Sequence, residues 1–363
     1  MKRMKFIFKR SLQNFLLAMT LCNASSCGSF ETVNSSTDDG ESLPSLDDRH
    51  IAVIVIQSGV MAVIMLLSVL GNSLVLAAIY RDGQLKNTAS VYVANLAIAD
   101  FLNGALAMPF ILTCSTVGRW PFGAFICSFV GALTTLFCSV SVFTLGTIAI
   151  DRYLAILHPL QYNAVMTRSK IIFSIALTWL HAVVLSALPI MGWSTYAYID
   201  MEYICTADWG GTLSYTLTVF AIDLGFPVTT MFFCYYHVLK TARKHSRQVA
   251  SCQVGPAGVN GCPRERCFCQ SWRRLKSEMK AAITLLAVIG TFLFCWLPHV
   301  VTMVCLSRPH NCHFPDAVFA ITTWLAMANS ACNPLIYGIL NRQFRQAFRD
   351  ILCVWKARRL FSR

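Results

Sequence analysis

Residues 124–156 read AFICSFVGALTTLFCSVSVFTLGTIAIDRYLAI, an apolar run that meets no charge until Asp151-Arg152-Tyr153 near its end. About 20 apolar residues in helix span the roughly 30 Å of hydrocarbon in a bilayer, so this run is long enough to cross one. Six further blocks resemble it, at roughly 51–80, 88–113, 168–192, 213–240, 276–306 and 314–339. Backbone groups cannot stay unpaired in lipid, and continuous apolar runs suit helices rather than the alternating strands of a barrel. The expected fold is an all-α membrane protein, a seven-transmembrane helix bundle.

Composition agrees. The chain is 56% hydrophobic and 13% charged, against about 25% charged in an ordinary soluble domain. Lys and Arg collect in the loop 81–87, after the third block, across 240–276 and in the tail, whereas the opposite loops carry Asp200, Glu202, Asp208 and Asp316. The positive-inside rule then puts the C-terminus in the cytoplasm and residues 28–50 outside. The net charge of +13 follows from this asymmetry and suits anionic lipid, with no need of nucleic acid as a partner. The expected location is the plasma membrane.

Residues 1–27 resemble a signal peptide, with Lys2, Arg3, Lys5, Lys9 and Arg10 before a short apolar run. Residues 28–50 are Ser- and Asp-rich, an outer tail, and Asn23 and Asn34 head glycosylation sequons. Residues 51–340 form the bundle domain, and 341–363 an amphipathic helix and cytoplasmic tail. That helix carries Phe344, Phe348, Ile351 and Leu352 on one side and ends at Cys353, a palmitoylation candidate.

Of sixteen Cys, Cys138, Cys234, Cys295 and Cys332 fall inside spans as small apolar residues. Cys127 and Cys205 fall on the oxidising side, where a bridge is expected; Cys305 and Cys312 are a second candidate pair. Cys252, Cys262, Cys267 and Cys269 lack a zinc spacing.

Charge inside a bilayer is expensive and needs a reason. Asn72, Asp100, Ser141, Asn329, Ser330 and Asn333 can share the bundle interior. One carboxylate among neutral oxygens suits a monovalent cation, so Asp100, Ser141, Asn329 and Asn333 are candidate ligands for sodium; a purely structural network is the alternative. No resident cofactor is expected. Pro227, Pro298 and Pro334 interrupt their helices and suggest hinges.

Taken together, these residues resemble the rhodopsin-like (class A) G-protein-coupled receptors over about 51–353. The motifs are Gly71-Asn72, Leu96-Ala97-Ile98-Ala99-Asp100, Cys127, Asp151-Arg152-Tyr153, Trp179, Pro227, Tyr235, Phe292, Cys295-Trp296-Leu297-Pro298 and Asn333-Pro334-Leu335-Ile336-Tyr337. The resemblance implies that Arg152 is held at rest by Asp151 and Glu278 and released to Tyr235 and Tyr337. It implies that Leu160 contacts a heterotrimeric G protein and that Phe292 and Trp296 relay the signal. Arrestin and receptor kinases are implied as further partners.

Departures narrow the ligand. Amine receptors of the family carry an Asp where this chain has Thr134, followed by Thr135. Opsins carry a retinal-binding Lys where it has Met327. Thr134, Thr135, Asp223, Trp296, His299, Trp324 and Met327 remain the candidate ligand contacts. The second outer loop and Thr322-Thr323-Trp324-Leu325-Ala326 look like those of orphan receptors, some of which raise cyclic AMP by folding that loop into their own pocket; Glu278 argues the other way, since an intact lock on Arg152 restrains basal signalling. A transporter or channel is the alternative; matched repeats and broken helices, which it would carry, are not seen. No paired nucleophile and base or metal set points to an enzyme.

Overall fold

A computed structural model describes residues 51–85, 88–252, 264–307 and 314–361, with side chains undescribed over parts of the long helices near 244–282 and beyond 353. The two sequons, the possible signal peptide, Cys252, Cys262, Cys267, Cys269 and Cys312 lie outside the described residues or side chains.

Eight long helices occur among the described residues: α1 (Ile51–Arg81), α2 (Thr88–Val117), α3 (Gly123–Leu157), α4 (Arg168–Ala187), α5 (Leu213–Thr218 continuing to Phe226–Cys252), α6 (Arg264–Leu306), α7 (Asp316–Leu340) and α8 (Arg342–Phe361). The first six include stretches long and apolar enough to cross a membrane. The seventh is set apart by its polar residues, because Thr322, Thr323, Asn329, Ser330 and Asn333 are all buried.

The packing is inside out relative to a soluble bundle. Helix α1 exposes Ile51, Val55, Ile56, Leu66 and Leu70 while burying Ser68 and Asn72. In water that arrangement would forfeit most of the hydrophobic gain; in lipid it hides the polar groups and solvates the apolar ones. Helix α3 is the hub, packing on α2, α4, α5 and α6, and α7 closes the ring between α6 and α1. Close approach of α1 to α7 depends on Gly71, where a Cβ would lie 2.9 Å from the Pro334 ring.

Proline explains two breaks. Wide π-helical turns occupy Asn103–Ala107 and Val219–Gly225, each two residues before a proline, Pro109 and Pro227. A proline nitrogen donates no hydrogen bond, and the turn before it widens where the ladder is interrupted. The expected disruption at Pro227 is therefore a widened turn in α5. Helix α6 begins at Arg264, well before the apolar block. Helix α8 runs on to Phe361 and starts under a cap, with the Asn341 carboxamide oxygen accepting from the Gln343 and Phe344 amides at 3.0 and 3.4 Å.

Between α4 and α5 lies a β-hairpin, β1 (Tyr196–Ile199) paired antiparallel with β2 (Ile204–Ala207), with Ile199 opposite Ile204. Its turn contains Tyr203 at φ 55°, an uncommon left-handed conformation for a bulky residue. A disulfide joins Cys127 at the start of α3 to Cys205 in β2, with Cα atoms 5.3 Å apart. The expected bridge is present. Cys305 is also disulfide-bonded.

Candidate functional site

Three polar clusters lie along the bundle axis. At one end, Arg152 donates from Nε to Asp151 Oδ2 at 2.9 Å and also from Nη2. Asp151 is fully buried, and its other oxygen accepts from the Tyr162 hydroxyl at 2.7 Å. Burial, and then the bond to Asp151, pushes the Tyr162 phenol well above its usual range. Tyr235 and Tyr337 are buried in one core cluster, with hydroxyls lacking a hydrogen-bond partner. Both are free to accept a new donor. The Glu278 side chain lies outside the described residues. Tyr153 does not join Arg152; its ring packs against His158, Phe233 and His237, between α3 and α5. Leu160 is 97% exposed.

In the middle, Asp100 is fully buried and fully wired. Ser141 and Ser330 hydroxyls donate to Oδ1 at 3.0 Å each, and the Asn333 carboxamide donates to Oδ2 at 2.8 Å. Asn72 donates to the Ser68 and Ser330 carbonyls, tying α1 to α7. Ser141 and Asn333 thus meet Asp100 as expected, joined by Ser330. Asn329 makes no hydrogen bond to Asp100, although its carboxamide oxygen, like that of Asn333, is buried without a partner. One carboxylate with hydroxyl and carboxamide oxygens is a donor set that fits a hard monovalent ion. A neighbouring network that sequence reasoning passed over links Trp179 to Asn95 at 2.9 Å and Asn95 to Thr144 at 2.8 Å.

At the other end, the hairpin folds into the bundle. Its turn, Asp200–Glu202, packs on α7. Ile204 packs with Met61, Met108, Ile111, Ala320, Trp324 and Met327, drawn from α1, α2 and α7, and Tyr203 joins the cluster. Tyr196 lies against α3 so closely that a Cβ on Gly131 would meet its ring at 2.6 Å. Of the expected ligand contacts, the hairpin thus reaches Trp324, Met327 and His299. Thr134 and Thr135 spend their hydroxyls on the Val130 and Gly131 carbonyls of their own helix. Asp223 sits between α3, α4 and α5, where Oδ1 accepts from Ser139 at 2.5 Å and lies 3.2 Å from His181 Nε2. His299 is buried, with Thr323 Oγ1 at 3.4 Å from Nδ1. Below it, rings step down α6 from His299 to Trp296 at 5.9 Å and on to Phe292 at 6.0 Å.

The residue that sequence reasoning missed is Glu202. It is fully buried, neither carboxylate oxygen has a hydrogen-bond partner, and Oε1 lies 3.9 Å from His299 Nδ1. Burial pushes its carboxyl up from the ordinary 4.5 to about 8. An acidic residue in a loop reads as solvated. The only hint was the apolar Tyr203-Ile204 beside the bridged Cys205.

An inward-turned polar core, a pinned hairpin over one end and an Asp-Arg pair at the other define a seven-helix receptor. The 7 transmembrane receptor (rhodopsin family) model matches residues 71–337, and the chain belongs to that family. It is 30% identical over 91% of its length to an octopamine receptor beta-2R of Chilo suppressalis, covering 88% of that protein. It is also 30% identical to the human histamine H2 receptor, covering 83% of this chain and 80% of that one. Human G-protein coupled receptor 161 is 28% identical over 87% of the chain. The chain spans 64% of the length of the Drosophila melanogaster octopamine receptor beta-1R and 63% of receptor 161. The squid rhodopsin crystal structure shares the fold, with a TM-score of 0.73 at 22% identity, covering 88% of this chain and 90% of that one.

Proposed function

We propose that this chain is a plasma-membrane receptor that activates a heterotrimeric G protein from its Arg152 end, with its own β-hairpin serving as a built-in ligand. The observation that carries the reading is the burial of Glu202 and Ile204 within the bundle, with Glu202 Oε1 3.9 Å from His299 at the head of the ring ladder that leads to Phe292. A ligand shifts a two-state switch only by contacting one state better than the other. A tethered hairpin meets that condition without an outside molecule.

The other end supplies the second state. Arg152 is held by Asp151, and a fork-shaped guanidinium released from that carboxylate has two unpartnered phenols, Tyr235 and Tyr337, to turn to. Leu160 and the freed Arg152 then meet the G protein. Lys and Arg enrichment at this end supports a cytoplasmic placement, and exposed Cys353 on α8 would be the palmitoylated residue. Arrestin and receptor kinases would engage the same face. Sodium, seated on Asp100, Ser141, Ser330 and Asn333 with the spare oxygen of Asn329 nearby, would tie α2, α3 and α7 and favour the resting form. Cyclic AMP is the readout to measure first.

A second reading has its own support. Octopamine and histamine, the ligands in the relatives' names, are amines, yet Thr134 gives this chain no counter-charge on α3 and Asp223 is engaged by Ser139. An amine would have to displace the hairpin.

Nucleotide exchange on a panel of purified G proteins, with membranes carrying the full chain and no added ligand, tests the proposal. Exchange above empty membranes on at least one G protein is expected. None on any, together with solute flux through the same membranes, would favour the transporter alternative.

A further inference from the structure

We infer that the extracellular proton is an effector of this receptor, bound by Glu202 and His299 beneath the hairpin. The inference rests on the reading of the hairpin as a built-in ligand, and it names what governs its seating.

The geometry is that of two bases waiting for one proton. Glu202 is fully buried with both oxygens unpartnered, and His299 Nδ1 faces Oε1 across 3.9 Å. A buried carboxylate without a donor is costly, so the seated hairpin requires that the pair hold a proton, on the carboxyl or on the imidazole. Among the described residues, the surroundings offer no substitute. Helix α7 presents Thr323, Trp324 and Met327, and α1 and α2 present Met61, Met108 and Ile111, none of them charged. On the hairpin's own turn Asp200 is exposed, and Asp208, at the far end of the loop, accepts from the Gly210 and Gly211 amides. Among the described residues, no Lys or Arg is paired with Glu202.

The sign follows from linkage. Seated, the Glu202 carboxyl titrates at about 8; released into water it returns to its ordinary 4.5. Seating is therefore fully supported below about pH 4.5, weakens as pH rises, and levels off above about 8. Within that window one proton is taken up per seating event, so the seated-to-released ratio changes by up to about tenfold per pH unit. Ordinary extracellular pH lies on the steep part, and acidification drives the hairpin in.

Hydrogen exchange of the hairpin amides, residues 196–207, in purified full-length receptor between pH 5.5 and 9 reads that ratio directly once corrected for intrinsic exchange. Protection is expected to fall by up to about tenfold per unit towards pH 8 and then flatten. Glu202→Gln keeps the shape and cannot ionise, so its protection should be independent of pH and at least as high as that of the wild type at neutral pH. A flat wild-type profile, or a slope that survives in Glu202→Gln, overturns the inference. Because protection is measured without a G protein, it stands apart from signalling. A pH-dependent hairpin whose removal leaves basal exchange unchanged defeats the built-in-ligand reading; a flat profile with a signal that needs the hairpin defeats only the proton.

Discussion

Asp100 and Glu202 are both fully buried carboxyl groups, and they could hardly be treated more differently. Asp100 receives three side-chain donors from α3 and α7. Glu202 receives none and faces a histidine. A carboxylate wired on both oxygens is part of the scaffold, because its donors would be orphaned without it. One left unwired is tolerated only while neutral or newly paired, which makes it a point where the outside can act. The receptor thus keeps its fixed charge in the middle and its adjustable charge under the hairpin.

The largest effect is expected from the bridge that lets Glu202 be buried at all. Cys127→Ser with Cys205→Ser opens a link across 78 residues and should cost roughly 2–5 kcal/mol, read as a lower melting temperature and a loss of hairpin protection. Next, Asp100→Leu should cost about 3 kcal/mol by stranding the Ser141, Ser330 and Asn333 donors, again by thermal melting. Glu202→Leu should be neutral or stabilising in the same assay, since no donor is stranded. If the two leucine variants lose equal stability, the contrast between the sites is wrong.

Smaller effects are expected at the hairpin seat and the ion site. Gly131→Ala puts a methyl where the Tyr196 ring lies and should loosen the hairpin by about 1–2 kcal/mol, visible as faster exchange over 196–207 with the Asp100 cluster undisturbed. Exchanging sodium for N-methylglucamine should lower the melting temperature by a few degrees at most, about 1 kcal/mol or less, and not at all in Asp100→Asn.

The helices were legible because lipid leaves so little choice. Runs such as 124–156 are apolar throughout, and only helix satisfies their backbone. The Cys127–Cys205 bridge followed from two cysteines on the oxidising side, and the meeting of Asp100 with Ser141 and Asn333 from polar residues that had no other place to go. Three things were hidden. At Pro109 and Pro227 the sequence marks a break in the helix but not its form, a widened π turn. Asp223 looked like the pocket's charge, and its bond to Ser139 depends on how α3 faces α5. Glu202 looked like an ordinary loop acid, because the burial that matters is imposed by a hairpin closed through a distant disulfide and a turn at Tyr203.

The central claim is that the hairpin operates the switch, and the direct measurement is basal G-protein nucleotide exchange by the full chain and by a variant with 194–204 replaced by a flexible linker of equal length, Cys205 retained. At equal surface expression, the replacement should remove most of the basal exchange. Undiminished exchange in the variant would contradict it.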